Sequence, residues 1–330
     1  VLGIGVGADY VLSPTIMAEH ANKKDRGKKL GFGFGAMWGF GAIGAALVLL
    51  ALQTLGVRPD LQWRIVLAGG ALPAFSVVYL RRHMPETARY LARLGGEQDE
   101  AVRVMAQISG GAEVAAPRGD ERPFWEVFRR HARAIFAGAL LWMIYDLVVY
   151  AAILFGPSLI ARSLGMSAER FSLLTQVLFV LPPSVLFSLF LIDRVGRKPL
   201  QAWGFFIGAV LVGLFALMQH QLLAMPVIGF LVYGLFNVAE TGPGLVSGAG
   251  VLGVELAPTR IRSVAQSITV AGGRTGAAIS AFGFPLIFGA IGREGAYWTL
   301  AGISVLGAIL TALLIPETGR LSLEAITEEG

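Results

Sequence analysis

Hydrophobic residues run along this chain in long blocks, and short polar stretches separate them. Nine apolar spans stand out, near 1–18, 30–53, 63–81, 134–160, 171–192, 199–219, 222–252, 263–289 and 296–315. Their lengths cluster around the roughly 20 residues that a helix needs to cross a hydrocarbon core. Two spans are rich in small residues: Gly3, Gly5 and Gly7 in the first, and the seam Gly31, Gly35 and Gly39 in the second. Small side chains let helices approach closely in lipid. The span from 222 is broken around Gly242, Pro243, Gly244, Gly248 and Gly250. A broken helix of that kind is tolerated where it lines a cavity.

Composition agrees with this pattern. Of the 330 residues, 55% are hydrophobic and only 15% charged, against about 25% charged in soluble domains. Mean hydropathy is +0.66. The chain reads as an all-α polytopic membrane protein with the lipid bilayer as its first partner. It has no cysteine, so neither disulfides nor a cysteine-based metal site is open to it, and its four histidines make no cluster. No cofactor is expected. The net charge of +5 suggests nucleic acid at first sight, but topology accounts for it and no nucleic-acid partner is expected. One set of loops (19–29, 82–133 with the flanking Arg81, 193–198, 253–262 and 316–330) carries 21 Lys and Arg, and the other set carries 5. The basic set is cytoplasmic by the positive-inside rule. Nine spans then put the C-terminus in the cytoplasm and Val1 outside. The chain opens within an apolar run with no signal peptide before it, which reads as an N-terminal truncation.

Acids inside apolar spans are the next feature. Asp146 is the single charge between about 135 and 160. A carboxylate at membrane depth is costly and ordinarily marks a pathway or a binding site. Trp142, Asp146 and Tyr150 are spaced i, i+4, i+8 and so share one helical face. Asp9, with Tyr10 beside it, is a second intramembrane acid, and Glu240 a third. Arg274 stands alone in Ala271-Gly272-Gly273-Arg274-Thr275-Gly276, and Trp38 lies beside the glycine seam. For Asp9 and Asp146 the structural alternative is a hydrogen bond or an ion pair with Arg274. For Arg274 it is a salt bridge between helices, and for Glu240 a bond that steadies a kink. The functional reading makes Arg274 an anion clamp, because a guanidinium binds phosphate or carboxylate bidentately. Residues 118–133, mostly charged with Phe124, Trp125 and Phe128 interleaved, suit a helix lying on the membrane surface.

The two ends of the chain repeat one another. Glu19 and Arg26 recur at the same spacing as Glu255 and Arg262, and Trp38 and Arg274 hold matching places. Pro85-Glu86-Thr87-x-Arg89 recurs as Pro316-Glu317-Thr318-x-Arg320. The last three helices thus repeat the first three, and a partner for the middle three would lie before Val1. A whole protein of this kind has twelve helices in two halves.

With these motifs the chain resembles the major facilitator superfamily, in its sugar-porter-like branch. The loop Asp193-Arg194-x-Gly196-Arg197-Lys198, both P-E-T-x-R segments and Glu255-x-x-Pro258-Thr259-x-x-Arg262 carry the resemblance. Within the superfamily, Gly7-Ala8-Asp9-Tyr10-Val11-Leu12-Ser13 and the Trp142, Asp146, Tyr150 face are similar to the phosphate:proton symporters. The chain differs from that family in carrying Trp38, Gly244 and Arg274 where the family has Gln, Asn and Lys.

The resemblance implies a major facilitator fold lacking the first three of its twelve helices. Residues 1–81 would be the second half of an N-terminal bundle and 82–133 a cytoplasmic loop with an amphipathic helix. Residues 134–315 would be a six-helix C-terminal bundle and 316–330 a cytoplasmic tail. It implies a monomeric transporter of the plasma membrane, not an enzyme, that couples protons to a small anion, with phosphate as the first substrate. Asp9, Tyr10, Trp38, Trp142, Asp146, Tyr150, Glu240 and Arg274 would form the substrate and proton path. Glu19, Arg26, Asp193, Arg197, Glu255 and Arg262 would form a cytoplasmic gate. Two alternatives stay open: a sugar, polyol or organic-acid transporter of the same superfamily, and a non-transporting sensor or degenerate homologue.

Overall fold

The computed structural model describes residues 2–82, 84, 86–92, 97–109 and 122–327, and among these the architecture is helical throughout. In chain order the elements are α1 (Leu2–His20), α2 (Arg26–Thr54), α3 (Pro59–Tyr79), α4 (Gln98–Ser109), α5 (Phe124–Ile160), α6 (Ala168–Val195), α7 (Arg197–Ala224), α8 (Pro226–Pro243), α9 (Val251–Glu255), α10 (Arg262–Leu314) and α11 (Leu323–Thr327). Among the described residues the nine apolar spans lie mainly on helices, the 222–252 span being interrupted at Met225 and again at Ala249 and Gly250. Six of the helices are long and apolar enough to cross a membrane. The last two spans form one run, α10, interrupted at Gly292, whose φ of 72° and ψ of −176° are not helical. Local chemistry sets several starts. Pro59 and Pro226 open α3 and α8, where a missing N–H costs nothing. Ser167 caps α6 by accepting from the Arg170 amide at 3.4 Å.

The glycine seam of α2 is used as its spacing suggests. A side chain at Gly31, Gly35 or Gly39 would run into Ser188, Leu245 or Leu181, so α2 lies close against α6 and the broken end of α8. Gly3, Gly5 and Gly7, by contrast, face open space. Val148, Ala151, Val212, Phe236, Phe284, Ala296 and Leu300 from α5, α7, α8 and α10 pack into one buried apolar cluster. Large apolar side chains such as Phe75, Trp203, Phe282 and Leu286 point outward instead, which suits a lipid surround.

One element differs from its expectation. Residues 124–133 do not form a separate surface helix. They are the first turns of α5, which continues without a break to Ile160. Val127 and Ile135 are both buried, with Ala257, Ile261 and Ala265, so apolar contact holds this extension against the start of α10. Residues 118–121 lie outside the described residues.

Candidate functional site

An open cavity, ≈ 890 Å³ with the solvent space at its mouth included, lies between α1 and α2 on one side and α5, α6, α8 and α10 on the other. Wide π-helical turns shape it. Gly31–Ala36, Gln176–Val180 and Gly244–Gly248 each close i→i+5, and each contributes lining residues. Such turns displace side chains from the regular helical register, and they concentrate at functional sites.

Arg274 is the only cation among the lining residues. Its Nη1 donates to the Tyr150 hydroxyl at 2.9 Å, and its Nη2 lies 3.4 Å from Asp146 Oδ2. Its guanidinium sits 4.7 Å from the centre of the Tyr10 ring and 5.9 Å from those of Trp142 and Tyr150. Aromatic faces attract a cation, so the rings and the carboxylate together hold Arg274 in place. Glycines make this meeting possible. Gly272 and Gly276 of α10 lie against the Ala139 and Met143 carbonyls of α5, and Gly273 lies against the Trp142 ring. Any larger residue there would hold the helices apart and carry Arg274 away from Asp146.

The opposite walls carry neutral polar groups and a third acid. Gln176 of α6 and Asn237, Glu240 and Thr241 of α8 line the cavity. Asn237 donates to the Tyr233 carbonyl at 2.8 Å, and the Thr241 hydroxyl donates to the Asn237 carbonyl at 3.2 Å. Glu240 is 4% exposed and packs against Gly208, and neither of its oxygens has a hydrogen-bond partner among the described residues. Gln176 Oε1 is likewise buried without a partner. The Tyr145 ring fits over Gly244 and Gly248 and joins the two walls.

Six of the eight residues assigned to the path line this cavity: Tyr10, Trp38, Asp146, Tyr150, Glu240 and Arg274. Trp142 does not. It is 1% exposed and lies beneath Gly273, where it supports Arg274. Asp9 does not either. Its carboxylate is exposed on α1 and accepts from the Ser13 hydroxyl at 2.8 Å. Successive helical residues are about 100° apart, so when Tyr10 faces the cavity Asp9 turns away. Gln176 and Tyr145 escaped the sequence reading, since a lone amide or phenol in an apolar helix gives no signal.

A second constellation joins the basic ends of the helices. Arg26 Nε donates to Glu255 Oε1 at 2.7 Å, and Arg262 Nη1 donates to Glu19 Oε1 at 2.8 Å. Arg197 reaches both Glu255, at 3.0 Å, and Asp193, at 2.8 Å. Asp193 also accepts from the Gly27 and Lys28 amides at 3.0 and 2.7 Å. Arg26, Glu255, Arg197 and Asp193 thus meet in one network, Glu19 and Arg262 form a second bridge, and the repeat-related pairs cross between the halves. The two threonines of the P-E-T-x-R segments do matching work: Thr87 donates to Glu19, and Thr318 to Glu255. Burial pushes the Glu255 carboxyl up, but Arg197, Arg26 and the Thr318 hydroxyl outweigh it and hold the group below the ordinary carboxylate range. Among the described residues no cluster of His, Asp or Glu is placed to hold a metal ion.

Known proteins share this architecture. The chain is 33% identical to inorganic phosphate transporter 1-6 of Oryza sativa subsp. japonica, over 99% of this chain and 70% of that one. It is 30% identical to probable inorganic phosphate transporter 1-6 of Arabidopsis thaliana, over 99% and 71%. Among solved structures it is similar to the proton:xylose symporter XylE bound to 6-bromo-6-deoxy-D-glucose, with a TM-score of 0.79, 26% identity and coverage of 98% and 71%. Against the inward open conformation of the xylose transporter XylE from E. coli the TM-score is 0.61, at 25% identity and coverage of 98% and 70%. Residues 1–329 match the family described as sugar (and other) transporter, and the chain belongs to that family, within the major facilitator superfamily of membrane transporters.

Proposed function

We propose that this protein moves a small anion together with protons by alternating access, with inorganic phosphate as the first substrate to test. The arrangement of Arg274 carries the reading. A guanidinium at membrane depth, held by Asp146 and Tyr150 and opened to a cavity, is a binding site for an oxyanion. Asp146 gives the coupling step. While ionised it neutralises Arg274; a proton on Asp146 releases the guanidinium to the substrate, so anion and proton load together. Arg274 itself stays charged and anchors the anion. The groups facing Asp146 in this step are Arg274, Trp142, Tyr145, Tyr10 and Tyr150. The phosphate transporters among the similar proteins support the substrate, and the XylE symporter supports the coupling.

The network at the basic end is the gate on the cytoplasmic side, closed in this conformation. Its charges are buried and paired between the halves. The higher TM-score to ligand-bound than to inward open XylE supports that state. By the distribution of Lys and Arg the C-terminus is cytoplasmic, and the protein belongs in the plasma membrane.

A sugar is the second reading, favoured by the neutral hydrogen-bonding groups of Gln176, Asn237 and Thr241 on the far wall. Uptake of radiolabelled phosphate and of xylose into proteoliposomes, with and without an imposed inward proton gradient, separates the two. We expect gradient-driven phosphate uptake that falls to background in Asp146→Asn. Gradient-driven xylose uptake without phosphate uptake would replace the anion reading by the sugar reading. Uptake of neither would overturn both substrate readings.

A further inference from the structure

We infer that an apolar chamber between α5, α7, α8 and α10 is a second binding site, for a small neutral aromatic molecule carrying one hydroxyl, a phenol in its simplest form. The inference does not depend on what the larger cavity carries.

Packing gives the first half of the argument. The buried apolar residues of these helices fall into two clusters. Val148, Val212, Phe236 and Leu300 belong to one, and Ile160, Phe171, Phe215 and Tyr233 to the other. A chamber of ≈ 500 Å³, with the open space at its mouth included, is lined from both clusters. A mismatch of side chains leaves it open. α5 brings the small residues Ala151, Ala152 and Gly156, whereas the other three helices bring the rings of Phe215, Tyr233, Phe236, Phe284 and Tyr297. The Tyr233 ring rests on Gly156, where a Cβ would lie 2.7 Å from it. Protein interiors are otherwise close-packed, and the lining of an empty apolar space forgoes contacts on one side. Such a space is a cost unless something enters it.

The chemistry of the walls gives the second half. No charged side chain is among the described lining residues, so an ion would enter without a counter-charge. Water is held poorly as well, because it needs about two to four polar partners. The Tyr233 hydroxyl already donates to the Ala152 carbonyl at 3.2 Å. The Tyr297 hydroxyl has no hydrogen bond among the described residues, and its ring lies 5.8 Å from that of Phe215. Walls of rings favour an aromatic guest, and a single polar group orients it. The guest that matches is therefore a ring whose one hydroxyl bonds to Tyr297. Ala152 and Phe236 line this chamber and the larger cavity alike, so the guest sits behind the wall of that cavity and not within it.

The test is binding of para-fluorophenol to the protein in nanodiscs, read by fluorine NMR line broadening. Empty nanodiscs of the same lipid correct for partition into the bilayer. We expect saturable binding that persists in excess phosphate. Val212→Phe and, as a second variant, Ala151→Leu fill the chamber, and each should weaken binding by about tenfold or more. Size-exclusion and thermal unfolding profiles verify that the variants are folded. Tyr297→Phe removes only the hydroxyl. It should weaken para-fluorophenol by about threefold to tenfold, the worth of one hydrogen bond, and leave para-fluorotoluene unchanged. No saturable binding beyond that of empty nanodiscs would overturn the inference. Binding unchanged in both folded filling variants would also overturn it, as would displacement by phosphate, which would put the ligand in the larger cavity. Equal effects of Tyr297→Phe on the two ligands would overturn the assignment of the hydroxyl.

Discussion

Arg274 reaches Asp146 because two helices touch backbone to backbone, and single glycines decide that. A Cβ on Gly276 would collide with the Met143 carbonyl, which cannot move unless α5 moves. Gly276→Ala should therefore lower stability by about 1–3 kcal/mol, the usual range for overpacking a filled interior. It should also weaken anion binding by drawing Arg274 off Asp146. Gly302→Ala on the same helix is the control, since open space surrounds Gly302 and alanine is the better helix former. Thermal unfolding in detergent, with phosphate binding measured in parallel, reads both effects. The sequence shows much at this scale. Spacing alone placed Trp142, Asp146 and Tyr150 on one face, and all three lie around Arg274. Spacing did not show which of them meets the cavity. Trp142 is roofed by Gly273, a fact that belongs to the other helix. Asp9 lies outside the lining of this cavity and is bonded to Ser13, whereas its neighbour Tyr10 has the inward position.

Whole helices were legible from hydrophobic blocks, because only helices and closed barrels satisfy the backbone in lipid and blocks of roughly 20 residues fit helices. Their irregularities were not. The π-helical turns at Gly31–Ala36 and Gln176–Val180 leave no periodic trace, yet they bring Phe34 and Gln176 to the cavity. The loop motifs were visible as patterns, and the structure supplies their physical reason. Glu317 of the second P-E-T-x-R segment accepts from the Arg197 and Lys198 amides at 3.0 Å each, which caps the N-terminus of α7. Gly196 is fixed by two conditions at once: its φ is 104°, and a Cβ would lie 2.5 Å from the Glu317 carboxylate. Arg320 completes the joint by donating to the Asp193 and Arg194 carbonyls at 3.1 and 3.3 Å. Glu317→Ala should cost about 1 kcal/mol, the usual worth of a helix cap. Gly196→Ala should cost more, because it adds left-handed backbone strain and pushes the cap away. Unfolding midpoints of the two variants test that order; equal shifts would mean that the cap alone matters.

At the scale of the molecule, the repeat explains how the halves are fastened. Glu19 and Glu255 are equivalent, as are Arg26 and Arg262, and the bridges form across the pseudo-symmetry: Glu19 to Arg262, Arg26 to Glu255. The repeat made the residues legible as a set, but only the packing of one half on the other could show that the pairs exchange partners. Glu255 is the centre, because it faces both Arg26 and Arg197 and is fully buried. Removing one member of a buried ion pair costs about 3–5 kcal/mol, since the partner stays buried and uncompensated. Glu255→Gln leaves two such arginines, so the closed state should lose at least about a hundredfold in population relative to one open at the basic end. The absence of cysteine makes this measurable. A single Ser188→Cys, buried behind the network, should react slowly with an impermeant maleimide applied from the basic side, and much faster when Glu255→Gln is added. The same probe has a pH dependence with a definite sign. Because Glu255 titrates below its ordinary value, its contribution to the closed state is complete above the ordinary carboxylate range and is lost as pH falls through the depressed value. Without substrate, labelling should therefore stay slow from neutral pH down to about pH 5 and rise only in stronger acid. A rise already complete at pH 6 would place the fastening on a different group.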